Sequence, residues 1–358
     1  MFDIVGTKSL DSNAVDFVEH GINFVGRTFE NNGIQGKIKK QKFEPNEPFT
    51  ITATVIGNYK YVKYQKEPYY CSQNINKLTP KPIFIKWSEK IAIFLMTNIW
   101  RFVSMYDGQQ GGYKLDDIKN HKIKLPITAS GEIDFEFMES FVAELEAERV
   151  AELEAYLAAA SLKDYELTAA ELSALSKFEN YNWGEFRIGD LFEIKTPKKR
   201  FDANKIKFGG LYPYVVRTST NNGIRGYITE NIDFLNEKNT ISFGQDTATM
   251  FYQKSEYFTG DKIKVFKLKD YELNSKIANF LISVMTKAFS NFSWGSSSFN
   301  VKILNEVKIL LPLNKNGEID FEFMNNFIKA IKKLVIKDVV LYTDNKIKAT
   351  KSIVSSNQ

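Results

Sequence analysis

An eight-residue stretch, Gly131-Glu132-Ile133-Asp134-Phe135-Glu136-Phe137-Met138, returns unchanged as Gly317-Glu318-Ile319-Asp320-Phe321-Glu322-Phe323-Met324. Each copy follows a Leu-Pro step (Leu125-Pro126, Leu311-Pro312) and a polar turn, and each opens a segment with apolar residues at helical spacing. The stretch therefore marks where a compact domain hands over to a helix, twice. Such a chain folds as the same unit made two times over.

The repeat extends well upstream. Phe24-Val25-Gly26-Arg27-Thr28-Phe29-Glu30-Asn31-Asn32-Gly33-Ile34-Gln35-Gly36 aligns without a gap on Tyr214-Val215-Val216-Arg217-Thr218-Ser219-Thr220-Asn221-Asn222-Gly223-Ile224-Arg225-Gly226. Met1-Phe2-Asp3-Ile4 falls on Leu191-Phe192-Glu193-Ile194, Tyr64-Gln65-Lys66 on Tyr252-Gln253-Lys254, and Phe94-Leu95 on Phe280-Leu281. Apolar alternation and Asn-Gly turns predict short strands, interrupted by a helix near Ile91 to Trp100 and again near Ser275 to Thr286. The expected fold class is α+β, a tandem duplication of a β-rich domain plus a long helix. Its parts are domain 1 over 1–130, a helical spacer over 131–182, domain 2 over 183–315 and a C-terminal helix over 316–358.

The spacer helix carries Phe137, Phe141, Leu145, Leu153 and Leu157 on one stripe, and from Asp134 to Ala160 it has eight acids against Arg149 alone. Its C-terminal counterpart carries Phe327, Ile331, Leu334, Val335 and Leu341, with seven lysines against Asp338 and Asp344 over Phe327 to Lys351. Opposite charge and matching stripes predict that the two helices pair, as an antiparallel coiled coil with pseudo-twofold symmetry; two solvated faces that never meet are the plainer alternative. A helix of about 25 residues is about 37 Å long, close to one turn of B-DNA at about 34–36 Å. Between the domains, Thr168-Ala169-Ala170-Glu171 is a capping-box pattern before a short helix. Residues 183 to 190 have no counterpart in the first copy, so either the C-terminal tail replaces that segment or the protein lacks it.

Composition narrows the chemistry. Hydrophobic residues at 43% and charged residues at 25% describe a globular protein. No apolar run reaches the roughly 20 residues that cross a bilayer, and no signal pattern opens the chain, so the expected setting is cytoplasmic with no membrane partner. One cysteine, Cys71, and two histidines make a zinc site an unsuitable reading. A net charge of +5 permits a polyanionic partner. Phosphate loops, Gly-x-Ser-x-Gly and His-Glu-x-x-His are all missing from the sequence. Asp190 and Glu193 with Lys195 superficially resemble a magnesium nuclease, though Phe192 and Ile194 between them look like strand core.

The Arg-Thr-x-x-Asn-Asn-Gly-Ile-x-Gly segment carries the most suggestive chemistry. Arg and Asn have the paired donors and acceptors that match guanine and adenine edges, while a structural hairpin that uses Asn-Gly for its positive φ explains the same residues. Basic residues cluster nearby, at Lys37, Lys39, Lys40 and Lys42 in the first copy and at Lys195, Lys198, Lys199, Arg200, Lys205 and Lys207 in the second, as phosphate contacts or as solvated faces. Rings and cations interleave at Tyr59-Lys60-Tyr61-Val62-Lys63-Tyr64.

With these features, the chain resembles the specificity (S) subunit of type I and related type IIB, BcgI-like restriction-modification systems. The resemblance rests on Trp183 to Phe192, on Arg217-Thr218 with Asn221-Asn222-Gly223-Ile224, on Trp294-Gly295-Ser296-Ser297, and on the Leu-Pro endings before each helix. It implies a non-catalytic subunit with two target-recognition domains, each reading half of a bipartite double-stranded DNA site, on helices that dock methyltransferase (modification) subunits. Those partners would bring S-adenosylmethionine and Mg2+, and the complete complex a restriction subunit or fused nuclease; no cofactor is expected in this chain. Carried over residue by residue, the DNA-binding set is Arg27, Thr28, Asn31, Asn32, Gln35, Arg217, Thr218, Asn221, Asn222, Arg225, Gln245, Ser296, Ser297, Lys199 and Arg200. The copies differ at Gln35 against Arg225, at Gln109-Gln110 against Gly295-Ser296, and at Val55-Ile56 against Gln245-Asp246, which predicts unlike half-sites. A magnesium nuclease, and a scaffold that joins proteins through its charged helices, are the competing expectations.

Overall fold

The computed structural model describes residues 1–56, 61–106, 111–290 and 299–356, with side chains as far as Ala349. It divides into two units, Met1–Ala155 with Lys346–Gln358, and Tyr156–Asn345.

In unit 1 the strands are β1 (Phe2–Gly6), β2 (Ser9–Leu10), β3 (Phe17–Val18), β4 (Ile22–Val25), β5 (Ile34–Ile38), β6 (Thr50–Thr54), β7 (Val62–Gln65), β8 (Tyr69–Ser72) and β9 (Ile75–Pro80). They form a four-stranded antiparallel sheet, β1-β9-β6-β7, and a mixed sheet, β2-β8-β4-β5-β3. Helix α1 (Glu89–Val103) starts at Ser88, whose hydroxyl accepts the Ile91 amide at 3.3 Å. Its residues Ile91, Ala92, Leu95, Ile99, Phe102 and Val103 recur at helical spacing and are buried, Ala92 and Ile99 among them against β6 and β7. A short helix α2 (Leu115–Asn120), not expected from the sequence, precedes α3 (Phe135–Ala159).

Unit 2 begins with α4 (Ala169–Lys177), on the expected capping box: the Thr168 hydroxyl accepts the Glu171 amide at 3.3 Å and Glu171 accepts the Thr168 amide at 2.8 Å. Then come β10 (Trp183–Arg187), α5 (Ile188–Leu191), β11 (Phe192–Lys195), β12 (Tyr212–Val215), β13 (Ile224–Ile228), β14 (Thr240–Gly244), β15 (Met250–Gln253), β16 (Phe258–Thr259) and β17 (Ile263–Leu268). Helices α6 (Ser275–Phe289) and α7 (Val301–Glu306), strand β18 (Lys308–Pro312) and helix α8 (Phe321–Ser356) complete the chain. The sheet β11-β17-β14-β15 repeats β1-β9-β6-β7 strand for strand, and β13-β12-β16 repeats the centre of the mixed sheet. The protein is a mixed α/β chain made of one unit twice.

The identity of the two octapeptides has a local cause, because most of its positions carry a task. Gly131 and Gly317 stand at φ 84° and 80°, where a β-carbon is strained. Ile133 and Ile319 bridge back to Ile127 and Leu313. Asp134 and Asp320 cap α3 and α8, each accepting the amide three residues on (Phe137, Phe323) at 2.8 Å. Met138 and Met324 are fully buried in the cores of their units.

That last contact corrects the expected stripe on α3. Met138 and Val142 face inward in place of Phe137 and Phe141, which with Leu145 lie 48%, 47% and 42% exposed; Leu153 is half-buried, and Leu157 is buried as the stripe required. On α8, Met324, Ala330 and Val340 are buried, Phe327 and Leu341 half-buried, and Ile331 and Leu334 exposed. Each helix packs first on its own domain, which turns the stripe by one residue. Among the described residues, no helix is long and apolar enough to cross a membrane.

Candidate nucleic-acid interface

The Arg-Thr and Asn-Asn-Gly elements join β4 to β5 in unit 1 and β12 to β13 in unit 2. Both hairpins carry a register shift at the same place, Phe24/Val25 and Tyr214/Val215. The loop is closed by the Gly26 amide on the Gly33 carbonyl and by the Val216 amide on the Gly223 carbonyl, both at 2.8 Å. Asn31, Asn32 and Gly33 all take positive φ, as do Asn221, Asn222 and Gly223. Asparagine and glycine tolerate that conformation best, which is why the turn is spelled this way in both copies.

The asparagine side chains work inside the turn. Asn31 and Asn221 donate from Nδ2 to the Ile34 and Ile224 carbonyls, at 3.1 and 2.8 Å. Asn32 and Asn222 donate to the Tyr64 and Tyr252 carbonyls, at 2.9 and 3.0 Å. Beneath them, Gln65 and Gln253, 2% and 3% exposed, donate from Nε2 to the Asn32 and Asn222 carbonyls at 3.3 and 3.1 Å. The same nitrogens reach Thr52 Oγ1 at 3.1 Å and Ser242 Oγ at 3.0 Å. A buried glutamine thus fastens each turn, which leaves the flanking side chains to face outward.

Those flanking side chains differ between units. Gln35 and Arg225 occupy one position on β5 and β13, both exposed, and among the described residues Arg225 has no ion pair. Gln35 lies over Gly26, where a β-carbon would come within 2.0 Å of its Oε1. Arg27 is exposed, and no described acid pairs with it. Arg217 is half-buried and ion-paired to Asp246, which Lys262 also contacts at 2.9 Å. Asp246 stands where unit 1 has Ile56, so the acid itself accounts for the difference. Thr28 accepts the Glu30 amide at 3.4 Å, and Thr218 shares a hydrogen bond with Thr220 at 3.2 Å.

The remaining expected contacts are placed less freely. Gln245 donates from Nε2 to the Phe299 carbonyl at 2.7 Å. Arg200 pairs with Asp261 at 2.7 Å, and Lys199 lies 4.8 and 4.9 Å from the Phe201 and Phe234 ring centres. Trp294 to Ser298 and Gln109-Gln110, like Tyr59-Lys60, fall outside the described residues. The structure adds aromatic residues: Phe17, 49% exposed, rests on Gly36, and Phe208, 47% exposed, rests on Gly226, with Tyr227 exposed beside it on β13. The sequence signal for them was the second glycine of the Gly-Ile-x-Gly run, which leaves room for the ring.

The carboxylates of the nuclease reading are each ion-paired, to bases that also serve Glu306 and Glu237. Asp190 pairs with Arg187 at 3.2 Å and Glu193 with Lys195 at 3.1 Å. Among the described residues, no three acids, histidines or cysteines gather as metal ligands.

Comparison with known proteins follows the same lines. Residues 1–155 and 180–341 match the family model described as "Type I restriction modification DNA specificity domain". The specificity subunit of the Type II restriction enzyme BgcI from Heyndrickxia coagulans is 23% identical over 343 residues, covering 94% of this chain and 93% of that protein. A putative type I specificity subunit of Mycoplasma pneumoniae is 24% identical over 145 residues, 40% of this chain and 39% of that one. The crystal structure of a type I restriction-modification S subunit from M. genitalium superposes with a TM-score of 0.59 at 15% identity, over 99% of this chain and 92% of that one. The last likeness is one of fold.

Proposed function

The chain belongs to the type I restriction modification DNA specificity domain family, and from this we infer that it is the DNA sequence-specificity subunit of a restriction-modification system. The observation that carries the reading is the pair of equivalent, internally fastened turns that hold unlike side chains outward, Gln35 and Arg27, unpaired among the described residues, in one unit, Arg225 and a paired Arg217 in the other. A rigid turn fixes the approach to a groove, and the residue at its edge chooses the base. Two such turns suit a bipartite target with unlike halves. The chain itself is non-catalytic in this account: methyltransferase subunits bring S-adenosylmethionine, and they or a restriction subunit bring Mg2+. The domains are target-recognition domains over 1–130 and 183–315, with 131–182 and 316–358 as the helical parts.

The two long helices form an antiparallel coiled coil with pseudo-twofold symmetry in this proposal. Lys346 of α8 faces Glu146 of α3 at 3.9 Å within unit 1, and Lys333 reaches Asp164, just past α3, at 2.8 Å within unit 2. As numbering rises along one helix it falls along the other. The apolar side chains left outside, Leu145 on α3 and Ile331 and Leu334 on α8, are surfaces for the methyltransferase subunits.

The test is co-purification with the methyltransferase encoded beside this chain, followed by methylation mapping of genomic DNA with and without the chain. The expected result is a split motif with unlike halves that appears only when the chain is present. If no methyltransferase co-purifies and no motif changes, the specificity role fails and a protein scaffold replaces it.

A further inference from the structure

Arg27 and Arg217 hold one position in the two turns, but only Arg217 is given a fixed partner. Its Nη1 contacts Asp246 Oδ2, and Lys262 Nζ reaches the same oxygen at 2.9 Å. The corresponding positions in unit 1 are Ile56 and Asn74. The second correspondence is also structural: the Val55 amide donates to the Asn74 carbonyl at 2.9 Å, as the Gln245 amide donates to the Lys262 carbonyl at 3.0 Å. Both sets carry a net charge of +1, a lone arginine in unit 1 and an arginine and a lysine less one aspartate in unit 2. Lys262 thus cancels Asp246, and the pair adds no net attraction for a phosphate backbone. What it adds to Arg217 is direction.

The carboxylate is itself held in place. Asp246 lies in the loop between β14 and β15, and that loop is tied on both sides of it. The Gln245 side chain donates to the Phe299 carbonyl at 2.7 Å, the Gly244 amide to the Thr249 carbonyl at 2.9 Å, and the Thr247 and Thr249 hydroxyls are 2.8 Å apart. Gly244 also makes room for the arginine stem, since a β-carbon there would stand 3.3 Å from Arg217 Cγ.

Backbone strain gathers at the same spot. Among the described residues, four that are neither asparagine nor glycine take positive φ, and two of them, Ala248 at 50° and Lys262 at 56°, lie around Asp246. Asn74 adopts φ 61° at the position of Lys262, where asparagine is at ease and lysine is not. Unit 2 therefore keeps a lysine in a conformation that suits it poorly, and the ammonium meets the carboxylate. Strain of this kind persists where the surrounding structure enforces it, and it collects at working sites. An ordinary surface ion pair requires none of it.

We propose that Asp246 is a positioning residue for base reading in unit 2: its carboxylate, anchored by Lys262, orients the Arg217 guanidinium toward the O6 and N7 of one guanine. The inference rests on the DNA-specificity reading above and adds to it a base at one position and the residue that enforces it. The contact with Asp246 uses Nη1 and, among the described residues, leaves Nε and Nη2 without a partner. Those two donors share one edge of the planar group, the geometry of a bidentate contact with guanine. Arg27, with no carboxylate to orient it, suits a phosphate, which fixes register without choosing a base.

The test uses the chain assembled with its methyltransferase, on duplexes that carry the mapped target and each of its single-base-pair variants. Arg217→Lys keeps the charge and loses the fork, so discrimination at one G·C pair should fall about ten- to a hundredfold. Asp246→Asn should lower discrimination at that same pair about tenfold, and in combination with Arg217→Lys it should cost less than it does alone. Asp246→Asn with Lys262→Asn restores the parent's net charge. Its non-specific affinity and salt dependence should return to the parent's, with discrimination at that pair still lost. Discrimination is a ratio of two affinities of one preparation, so any loss of folded protein cancels from it. Recovered discrimination in the charge-restored variant makes Asp246 a counter-ion only and overturns the inference, as does a loss at an A·T pair. A split motif indifferent to Asp246 overturns this inference alone, whereas a parent complex that methylates no split motif overturns the specificity reading as well.

Discussion

Gln253 shows how a single buried amide sets up recognition without touching a ligand. Its Nε2 serves the Asn222 carbonyl and Ser242 Oγ at once, so Gln253→Leu takes the donor from a buried hydroxyl and from the part-buried carbonyl of the turn. The expected cost is about 1–3 kcal/mol, read as a lower urea midpoint for unit 2. Arg225 tests the other half of the argument: with no ion pair among the described residues, Arg225→Ala should cost about 1–3 kcal/mol of affinity and relax the target at one position. Uniform weakening across all sequences would make it a phosphate contact instead. Asp246→Asn releases Arg217 and Lys262 together, and should strengthen non-specific binding at low salt while steepening its salt dependence. The Arg-Thr and Asn-Asn-Gly residues were legible in the sequence because the repeat singles them out. Their division of labour was not. Asparagine serves equally for positive φ and for adenine edges, and only the carbonyls of Tyr64 and Tyr252, some thirty residues away, show which use the amide groups have.

At the scale of elements, caps and turns were readable because their signals are local, as at Thr168-x-x-Glu171, whereas the inward face of α3 was not. Phe137 and Met138 are both apolar neighbours, and periodicity alone cannot tell which of two adjacent apolar lines meets the core. The decision comes from Met138 reaching Ile91 and Leu95 in the domain behind it. Helix α4 supplies a pH prediction. Burial would by itself raise the Glu171 carboxyl, but the Thr168 amide and Lys333 overcome it and hold the group below its ordinary value of 4.5; Asp164 is lowered too, first by its hydrogen bond to Lys333. A carboxyl depressed in the folded state stabilises it above the unfolded value, and that contribution is lost as pH falls through the folded value. Unit 2 should therefore lose stability below about pH 4.5, and Glu171→Gln should flatten that acid limb in thermal melts taken from pH 6 to pH 3. An unchanged limb would place the acid sensitivity elsewhere.

For the whole molecule, duplication makes the two units tests of each other. Phe24–Gly36 and Tyr214–Gly226 align without a gap, close through the same 2.8 Å amide contact, shift register at the same step and rest on equivalent buried glutamines. Two differences need matching: Gly26 makes room for Gln35, whereas Val216 accompanies Arg225, and Tyr214, whose hydroxyl donates to the Phe201 carbonyl outside the segment, stands where fully buried Phe24 does. Moving Val215–Gly226 onto Val25–Gly36 carries the first pairing with it and leaves buried Phe24 in place, so the exchange should be accepted without loss of fold. If these turns read bases, the methylation map of the exchanged chain should keep its second half-site and change its first at one or more positions toward the second. Each altered position should shift discrimination by about 1–3 kcal/mol. Arg217 would then stand opposite Ile56 rather than Asp246, without a partner among the described residues, as Arg27 is, and the first half should bind with a steeper salt dependence than the second. A map identical to that of the parent chain would show that specificity lies outside the turns, in the residues that flank α7 or the exposed rings at Phe17 and Phe208.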